Sequence, residues 1–263
     1  MKNKITTAFV IILLISTPFI SYGTEAYKPF NKNQYPSNDF TISQANFNHG
    51  DALIKIIEAK RISKKYEEVP HFCRMWLSVK KSDKTVYRKY FDDIEPVGFS
   101  YGLFIPKVQP PSPYFAVVKN GDYDGSLFLI SKNGKVFKLM GGFFFITKNK
   151  RYLFSEYASD ATGLAVFDLR KGRVVFSSMN LPAEMSHWYE NRGEYYFTTE
   201  PDSYNDPEQI VAFFYDFKTN KITQKNISRS EFAAGKPVIY DFDPREYQDC
   251  NTSQNKRLDG DRE

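Results

Sequence analysis

Apolar positions along this chain fall into short segments separated by a few polar or glycine residues. Between Phe99 and Ser228 one strand–turn–strand pattern occurs three times, with the sequences GSLFLISKNGKV, GLAVFDLRKGRV and QIVAFFYDFKTNKI. Each copy has an apolar run, a turn rich in Lys, Asn and Gly, and a second run, which is typical of a β-hairpin. Recurrence on this scale predicts an architecture built of similar β units.

The spacing of the copies indicates four units. Gly125 and Gly163, and likewise Gly134 and Gly172, are 38 residues apart, whereas Gly172 and Asn220 are 48 apart, with the extra residues in loops. The predicted strands are 40–47, 52–60, 72–79 and 85–91; 99–105, 114–119, 125–131 and 135–139; 142–147, 151–157, 163–169 and 173–179; 185–190, 194–200, 209–217 and 221–227; and a closing strand, 237–242. We therefore predict an all-β fold, a small β-propeller-like ring of about four four-stranded units. The alternative is an open β-meander or β-sandwich, and for residues 52–65 a short helix is the alternative.

The N-terminus has the pattern of a secretory signal. Lys2 and Lys4 precede an apolar run that continues to Ile20, and Ser21 and Gly23 are small residues at the positions that signal peptidase requires. The run is shorter than the ~20 residues of a permanent transmembrane helix. We therefore predict a periplasmic or secreted protein, with no stable membrane insertion once the signal is cleaved.

The rest of the chain divides by composition. Residues 24–38 are polar with two prolines and predict a flexible leader, residues 39–249 a single all-β propeller-like domain, and residues 250–263 a charged C-terminal tail. Cys73 and Cys250 are the two cysteines of the chain. In an oxidising compartment such a pair predicts a disulfide bond, which would latch the first unit to the end of the last.

The charges argue against nucleic acid as a partner. There are 36 Lys and Arg and 31 Asp and Glu, a net charge of +5, and the basic residues are scattered along the chain. A nucleic-acid-binding protein concentrates its basic residues on one face.

No catalytic set is complete. Ser100 lies in the pattern G-x-S-x-G, but the prolines that follow exclude the helix that a nucleophile elbow needs. The histidines, His49, His71 and His187, lack the spacing of metal ligands. His187 is next to Trp188 at the start of the fourth unit, where the first strand of a blade lines a central channel.

Acidic and aromatic residues recur in the loops between the second and third strands of successive units. If the repeat is real, these loops emerge on one rim, which makes their residues candidate binding residues: Asp122, Tyr123, Asp124, Asp160, Asp202, Tyr204 and Asp206. Asp and Asn are also ordinary turn residues. The sequence DYDG resembles half of a calcium loop but lacks the distal Glu, so we predict no cofactor, with Ca²⁺ as the alternative.

Export, a repeated scaffold and variable loops together predict a non-catalytic binding protein. It would recognise another macromolecule, most simply a protein, as an inhibitor, immunity protein or adaptor does. One alternative is a periplasmic hydrolase or lyase that uses His187 with carboxylates of neighbouring units. The other is a Ca²⁺-dependent or carbohydrate-binding module.

Overall fold

The chain is almost entirely β-strand in the part that the computed structural model describes, residues 27–61, 72–94, 102–120, 125–158, 162–179, 181, 187–198 and 209–243. Its helices there are a 3-10 helix, Lys32–Gln34, and α1 (Arg229–Ala234). The strands are β1 (Phe40–His49), β2 (Ala52–Arg61), β3 (Phe72–Lys81), β4 (Lys84–Ile94), β5 (Gly102–Phe104), β6 (Tyr114–Asn120), β7 (Ser126–Ser131), β8 (Val136–Met140), β9 (Phe143–Ile146), β10 (Tyr152–Ala158), β11 (Thr162–Asp168), β12 (Arg173–Ser178), β13 (Trp188–Asn191), β14 (Glu194–Thr198), β15 (Gln209–Asp216), β16 (Lys221–Ser228) and β17 (Lys236–Pro237).

The first sixteen strands form four antiparallel sheets of four consecutive strands each, in up-and-down order. We number them sheets 1 to 4 along the chain: β1–β4, β5–β8, β9–β12 and β13–β16. β17 adds a fifth strand to sheet 4 beside β13. The predicted all-β, propeller-like fold of four four-stranded units is confirmed, and no sheet closes on itself.

Residues 52–61 form a strand, not a helix. Ile54 and Ile56 face the core shared with sheet 2, whereas Ile57 and Ala59 are buried on the opposite face. β2 pairs with β1 on one side and β3 on the other. A β-branched central strand buried on both faces reads as a nearly continuous apolar run, which is why its sequence also fits helical spacing.

Tight turns lie together at one end of the sheets, which we call the turn end. These turns join first to second strands and third to fourth strands, and the backbone N–H of Asp51 in sheet 1 donates to the Lys132 carbonyl in sheet 2 across this end (3.0 Å). Gly134, Gly172 and Asn220, the residues aligned across the copies, have φ of +82°, +63° and +53°. All three turns therefore use a left-handed residue at the same place, which confirms the alignment.

Neighbouring sheets pack face to face through three buried cores. Ile56 and Phe128 belong to the core between sheets 1 and 2, and Leu129 and Phe167 to the core between sheets 2 and 3. The core between sheets 3 and 4 contains the fully buried Trp188. Aromatic side chains dominate these cores because each covers a large area of a pleated surface.

The two outer faces have covers of their own. Phe30 and Tyr35 pack on Trp76 of sheet 1, and the Trp76 Nε1–H donates to the Lys28 carbonyl (2.7 Å). Residues 27–38 of the predicted flexible leader are thus packed against sheet 1. On sheet 4, Phe232 of α1 packs beside Tyr196. In the described residues three buried cores join the sheets in chain order and none joins sheet 1 to sheet 4, and we call this row of four sheets the arc.

Several predictions fall outside the described residues, namely the signal peptide, residues 1–23, and the charged tail, residues 250–263. Cys73 is buried in β3 at 5% exposure, but Cys250 is not described, so the disulfide stays a prediction. In the described part of the chain, no helix is both long and apolar enough to cross a membrane.

Candidate binding face

The second strand of every sheet ends, and the third begins, at the end opposite the tight turns. We call this the loop end. The segments that connect these strands are residues 62–71, 121–125, 159–161 and 199–208, so they differ in length from three to ten residues. All but one of the turn-end connections have two to five residues, the exception being residues 105–113 between β5 and β6. Both ten-residue connections therefore lie at the loop end, whereas seven of the eight turn-end connections have at most five residues.

Hydrogen bonds between sheets align their loop ends. The Leu103 N–H at the start of sheet 2 donates to Glu58 Oε1 near the end of β2 (2.9 Å). The Ser155 hydroxyl in β10 of sheet 3 donates to the Met140 carbonyl at the end of β8 in sheet 2 (2.6 Å). The Leu181 N–H, in the connection from sheet 3 to sheet 4, donates to the Thr162 carbonyl at the start of β11 (3.2 Å), so the chain leaves sheet 3 at this end. The loop ends of sheets 1 to 3 are thus joined side by side, and the connection to sheet 4 starts from the same end.

Buried polar residues at the turn end are explained by the turns. Asp168, fully buried, accepts the backbone N–H groups of Arg170 and Lys171 on Oδ1 (both 3.0 Å). Glu190 accepts the Gly193 N–H on Oε1 (2.8 Å) and forms an ion pair with Lys148 of sheet 3 through Oε2. These carboxylates hold the turns in shape, which is a structural role.

Buried ionisable residues at the loop end are not part of any turn. Lys119, the last residue but one of β6, is 1% exposed, and Glu156, near the end of β10, is 3% exposed. Glu58 in β2 is half-buried, and desolvation raises its pKa against the opposing effects of hydrogen bonds from Leu103 and Ser43. Charged groups are seldom buried without a structural or functional reason, so these three side chains mark the loop end as the candidate face.

Glu156 connects the loop end to the C-terminal segment. Its Oε2 accepts a hydrogen bond of 2.6 Å from the hydroxyl of Tyr240. The Tyr240 ring is held by edge contacts with Phe143 and Phe145, at centroid distances of 5.8 and 5.9 Å. The carboxylate of Glu156 is therefore fixed in place by an aromatic residue 84 positions further along the chain.

Two of the predicted binding residues lie in the described part of the chain. His187 is exposed immediately before β13. Trp188 is fully buried, with its ring 5.0 Å from Phe154 and 5.1 Å from Phe197, so it packs between sheets 3 and 4. The adjacent positions thus point to opposite sides of the strand, as the alternation of a β-strand requires.

The other predicted binding residues lie in segments outside the described residues: Asp122, Tyr123, Asp124, Asp160, Asp202, Tyr204 and Asp206. The strands on both sides of each of these segments meet the loop end. Within the described residues no group of three or more His, Cys, Asp or Glu side chains could hold a metal ion.

Sequence reasoning missed the buried charges at the loop end. The signal was present, because each is a charged residue within an apolar strand: Glu58 in ALIKIIEAK, Lys119 in YFAVVKN and Glu156 in YLFSEYA. Such residues look like the solvent-facing positions of an alternating strand. Only the packing of a second sheet on that face reveals that they are buried.

Comparison with known proteins gives no family. No protein-family model matches the chain, and no curated protein matches it. Solved structures that resemble it include the β-propeller domain of the Trilobed protease from Pyrococcus furiosus, described as having an open velcro topology. That domain has 10% identity and a TM-score of 0.35, over 72% of this chain and 57% of that chain.

Two further structures resemble the chain at a similar level. A putative 6-phosphogluconolactonase from Bacteroides uniformis has 10% identity and a TM-score of 0.32, over 74% of this chain and 72% of that one. Acylaminoacyl peptidase from Pyrococcus horikoshii has 8% identity and a TM-score of 0.32, over 72% of this chain and 32% of the peptidase. The chain thus spans about a third of the peptidase, and similarities this low carry no argument about activity.

Proposed function

We propose that this protein is an exported, non-catalytic binding protein that recognises another protein through its loop end, as an inhibitor, immunity protein or adaptor does. One observation carries the proposal: seven of the eight turn-end connections are short turns, several with internally satisfied polar groups, whereas the two ten-residue connections attach at the loop end. Scaffolds that present binding loops have this division, because loops tolerate change when the strands beneath them are fixed.

The rigidity of the loop end supports the same proposal. The hydrogen bonds Leu103–Glu58 and Ser155–Met140 join sheets 1 to 3 at the end where the connecting segments attach. Binding residues carried on a fixed base lose less conformational entropy when a partner docks. The acidic character of the connecting segments favours a partner surface with basic residues.

The test compares matched charge variants of the mature protein, residues 24–263. One variant carries Asp122→Asn, Asp160→Asn and Asp202→Asn at the loop end. The control carries Asp51→Asn, Asp83→Asn and Glu194→Gln, which remove the same charge from exposed positions at the turn end. Biotin-labelled wild-type protein is incubated with an extract of the secreting cell, and the captured protein is purified for affinity measurements.

We expect the captured protein to bind wild type and the turn-end control equally and the loop-end variant at least about tenfold more weakly, a loss of about 1.4 kcal/mol. Equal binding by both variants would show that the loop end is not the contact surface and would overturn the proposal. Failure to capture any protein at micromolar bait would overturn it as well.

A further inference from the structure

The C-terminal segment, residues 236–243, runs across the first strands of three sheets. Lys236 and Pro237 pair with β13, and the Val238 N–H donates to the Trp188 carbonyl (2.8 Å). The chain then leaves sheet 4 and pairs with β9, where Phe144 and Phe242 form an antiparallel bridge. We call this segment the clasp.

Backbone hydrogen bonds attach the clasp to sheet 3 as a short added strand. The N–H groups of Asp241 and Phe242 both approach the Phe144 carbonyl (2.9 and 3.2 Å), and the Phe144 N–H donates to the Phe242 carbonyl (3.2 Å). Asp241 Oδ2 accepts the next free donor of that strand, the Ile146 N–H, at 2.7 Å. The edge of β9 is thus satisfied by a segment almost a hundred residues away in sequence.

Alternate side chains of the clasp enter the protein. Phe242 is 2% exposed, with its ring 6.3 Å from Phe144 in a stacked arrangement and 6.0 Å from Phe104 of sheet 2. Tyr240 donates to Glu156 and packs on aromatic residues of β9. Ile239, the residue before Tyr240, is 88% exposed.

We propose that the edges of β13 and β9, with the aromatic pocket formed by Phe104 and Phe144, are a peptide-binding site that the chain fills with its own clasp. The ligand is an extended peptide with the spacing Tyr-x-Phe, and this protein's C-terminal segment is the occupant that closes the arc in cis. The proposal does not rest on the function proposed for the loop end, although Tyr240 of the clasp donates to Glu156 there.

The arrangement has the features of strand addition to a sheet edge. Main-chain hydrogen bonds supply affinity, and pockets for alternate side chains supply specificity. The clasp shows both, with Tyr240 and Phe242 as inward residues and Ile239 as the outward one. A residue that points outward gives a matched control within the same segment.

The experiment uses the full mature chain and a fluorescent peptide of residues 236–243, KPVIYDFD. Phe242→Ala weakens the protein's own clasp, so the labelled peptide should bind this variant at least tenfold more tightly than wild type in fluorescence anisotropy. Ile239→Ala should bind the peptide as weakly as wild type does. A peptide with alanine in place of its phenylalanine should lose at least tenfold in affinity for the Phe242→Ala protein.

Equal affinity of wild type and Phe242→Ala for the peptide would overturn the proposal. Equal affinity of the Phe242→Ala protein for the peptides with and without phenylalanine would overturn it as well. If Phe242→Ala does not fold, as judged by loss of a cooperative thermal transition, Phe242→Leu replaces it with the same expectations. Hydrogen exchange of wild type provides a second measurement. Without added peptide, the Val238, Asp241 and Ile146 amides of wild type should exchange at least twofold more slowly than the same amides of Phe242→Leu. Equal exchange rates in the two proteins would contradict the clasp.

Discussion

Asp241 is a carboxylate whose ionised form is disfavoured by its surroundings. Burial raises its pKa above the ordinary value of 3.8, against the opposing effect of the hydrogen bond from the Ile146 N–H. The stability that accompanies a raised carboxyl pKa is fully present below pH 3.8 and is lost as the pH rises through the folded-state pKa. At neutral pH the protein therefore holds a charge that destabilises the folded state.

Asp241→Asn should consequently stabilise the protein at neutral pH. The amide oxygen still accepts the Ile146 N–H, while the charge is removed. Because Asp241 is only half-buried, solvent screens the charge, and we expect the free energy of unfolding at pH 7.5 to rise by no more than about 1 kcal/mol. The gain should shrink towards pH 4. Urea unfolding at the two pH values measures this, with exposed Asp83→Asn as control. A loss of stability at pH 7.5 would mean that the charge strengthens the hydrogen bond by more than its burial costs.

Glu190 has the opposite dependence on pH. The hydrogen bond from Lys148, followed by that from the Gly193 N–H, lowers its pKa below 4.5. Its contribution to stability is therefore present above pH 4.5 and is lost as the pH falls through the lowered folded-state pKa.

Glu190→Gln should remove that contribution. Because the Lys148 side chain is 73% exposed, solvent screens the ion pair, and we expect a loss of no more than about 1 kcal/mol at pH 7. In urea unfolding the loss should shrink as the pH is lowered from 4.5 through the folded-state pKa. Glu194→Gln, an exposed position of the same hairpin, is the control. An equal effect of the two substitutions at pH 7 would contradict a specific role for the ion pair between sheets 3 and 4.

At the scale of single elements, two glycines distinguish the cost of a left-handed backbone conformation from the cost of a steric clash. Gly141 and Gly193 have nearly the same φ, +85° and +86°. A Cβ on Gly193 would meet nothing within 4 Å, whereas a Cβ on Gly141 would overlap the Glu156 carbonyl. Gly193 lies in a turn-end hairpin, and Gly141 lies where β8 passes directly into β9.

Gly193→Ala should therefore report the cost of a left-handed residue alone, about 1 to 2 kcal/mol. Gly141→Ala should add the displacement of β10 and lose more than about 4 kcal/mol, or fail to fold. Thermal and urea unfolding of the two variants measure the difference. Similar losses for both would show that the junction between sheets 2 and 3 can open without strain.

The strands and turns were largely predictable from sequence, because the signals that define them lie within a few consecutive residues. Alternating apolar residues and left-handed turn positions such as Gly134 and Gly172 are properties of a few consecutive residues. The six-residue helix α1 was missed because it is too short for a periodic pattern, although the Ser228 side chain accepts the Glu231 N–H in a capping box. Residues 237–242 were predicted as one strand, but they divide between β13 and β9, since pairing over long distances leaves no local signal.

At the scale of the whole molecule, the sequence predicts four units but not how their ends are covered. Tyr35 belongs to a segment that reads as a polar leader, and yet its ring packs against Trp76 and Phe40. The candidate face was predictable as an end of the sheets, because strand order alone determines where connections emerge. The buried Lys119 and Glu156 and the half-buried Glu58 were not predictable, because their burial depends on a neighbouring sheet.

The course of the clasp bears on the predicted disulfide between Cys73 and Cys250. It passes from sheet 4 to sheet 3 and reaches Phe104 of sheet 2, and Cys73 lies in the core between sheets 1 and 2 with Leu103. Cys250 is seven residues beyond Asp243, which extended chain can span over at most about 25 Å. A bond between the two cysteines would carry the closure of the arc on to sheet 1.

Oxidised mature protein, unfolded without reductant, should therefore contain no thiol that reacts with a maleimide reagent, and two after reduction. Because 177 residues separate the cysteines, the bond would constrain the unfolded chain by up to about 5 kcal/mol, so reduction should lower the melting temperature clearly. Cys250→Ala should melt at the temperature of reduced wild type, with or without reductant. Two reactive thiols in the unreduced protein would contradict the disulfide and would leave the clasp as the closure of sheets 2 to 4.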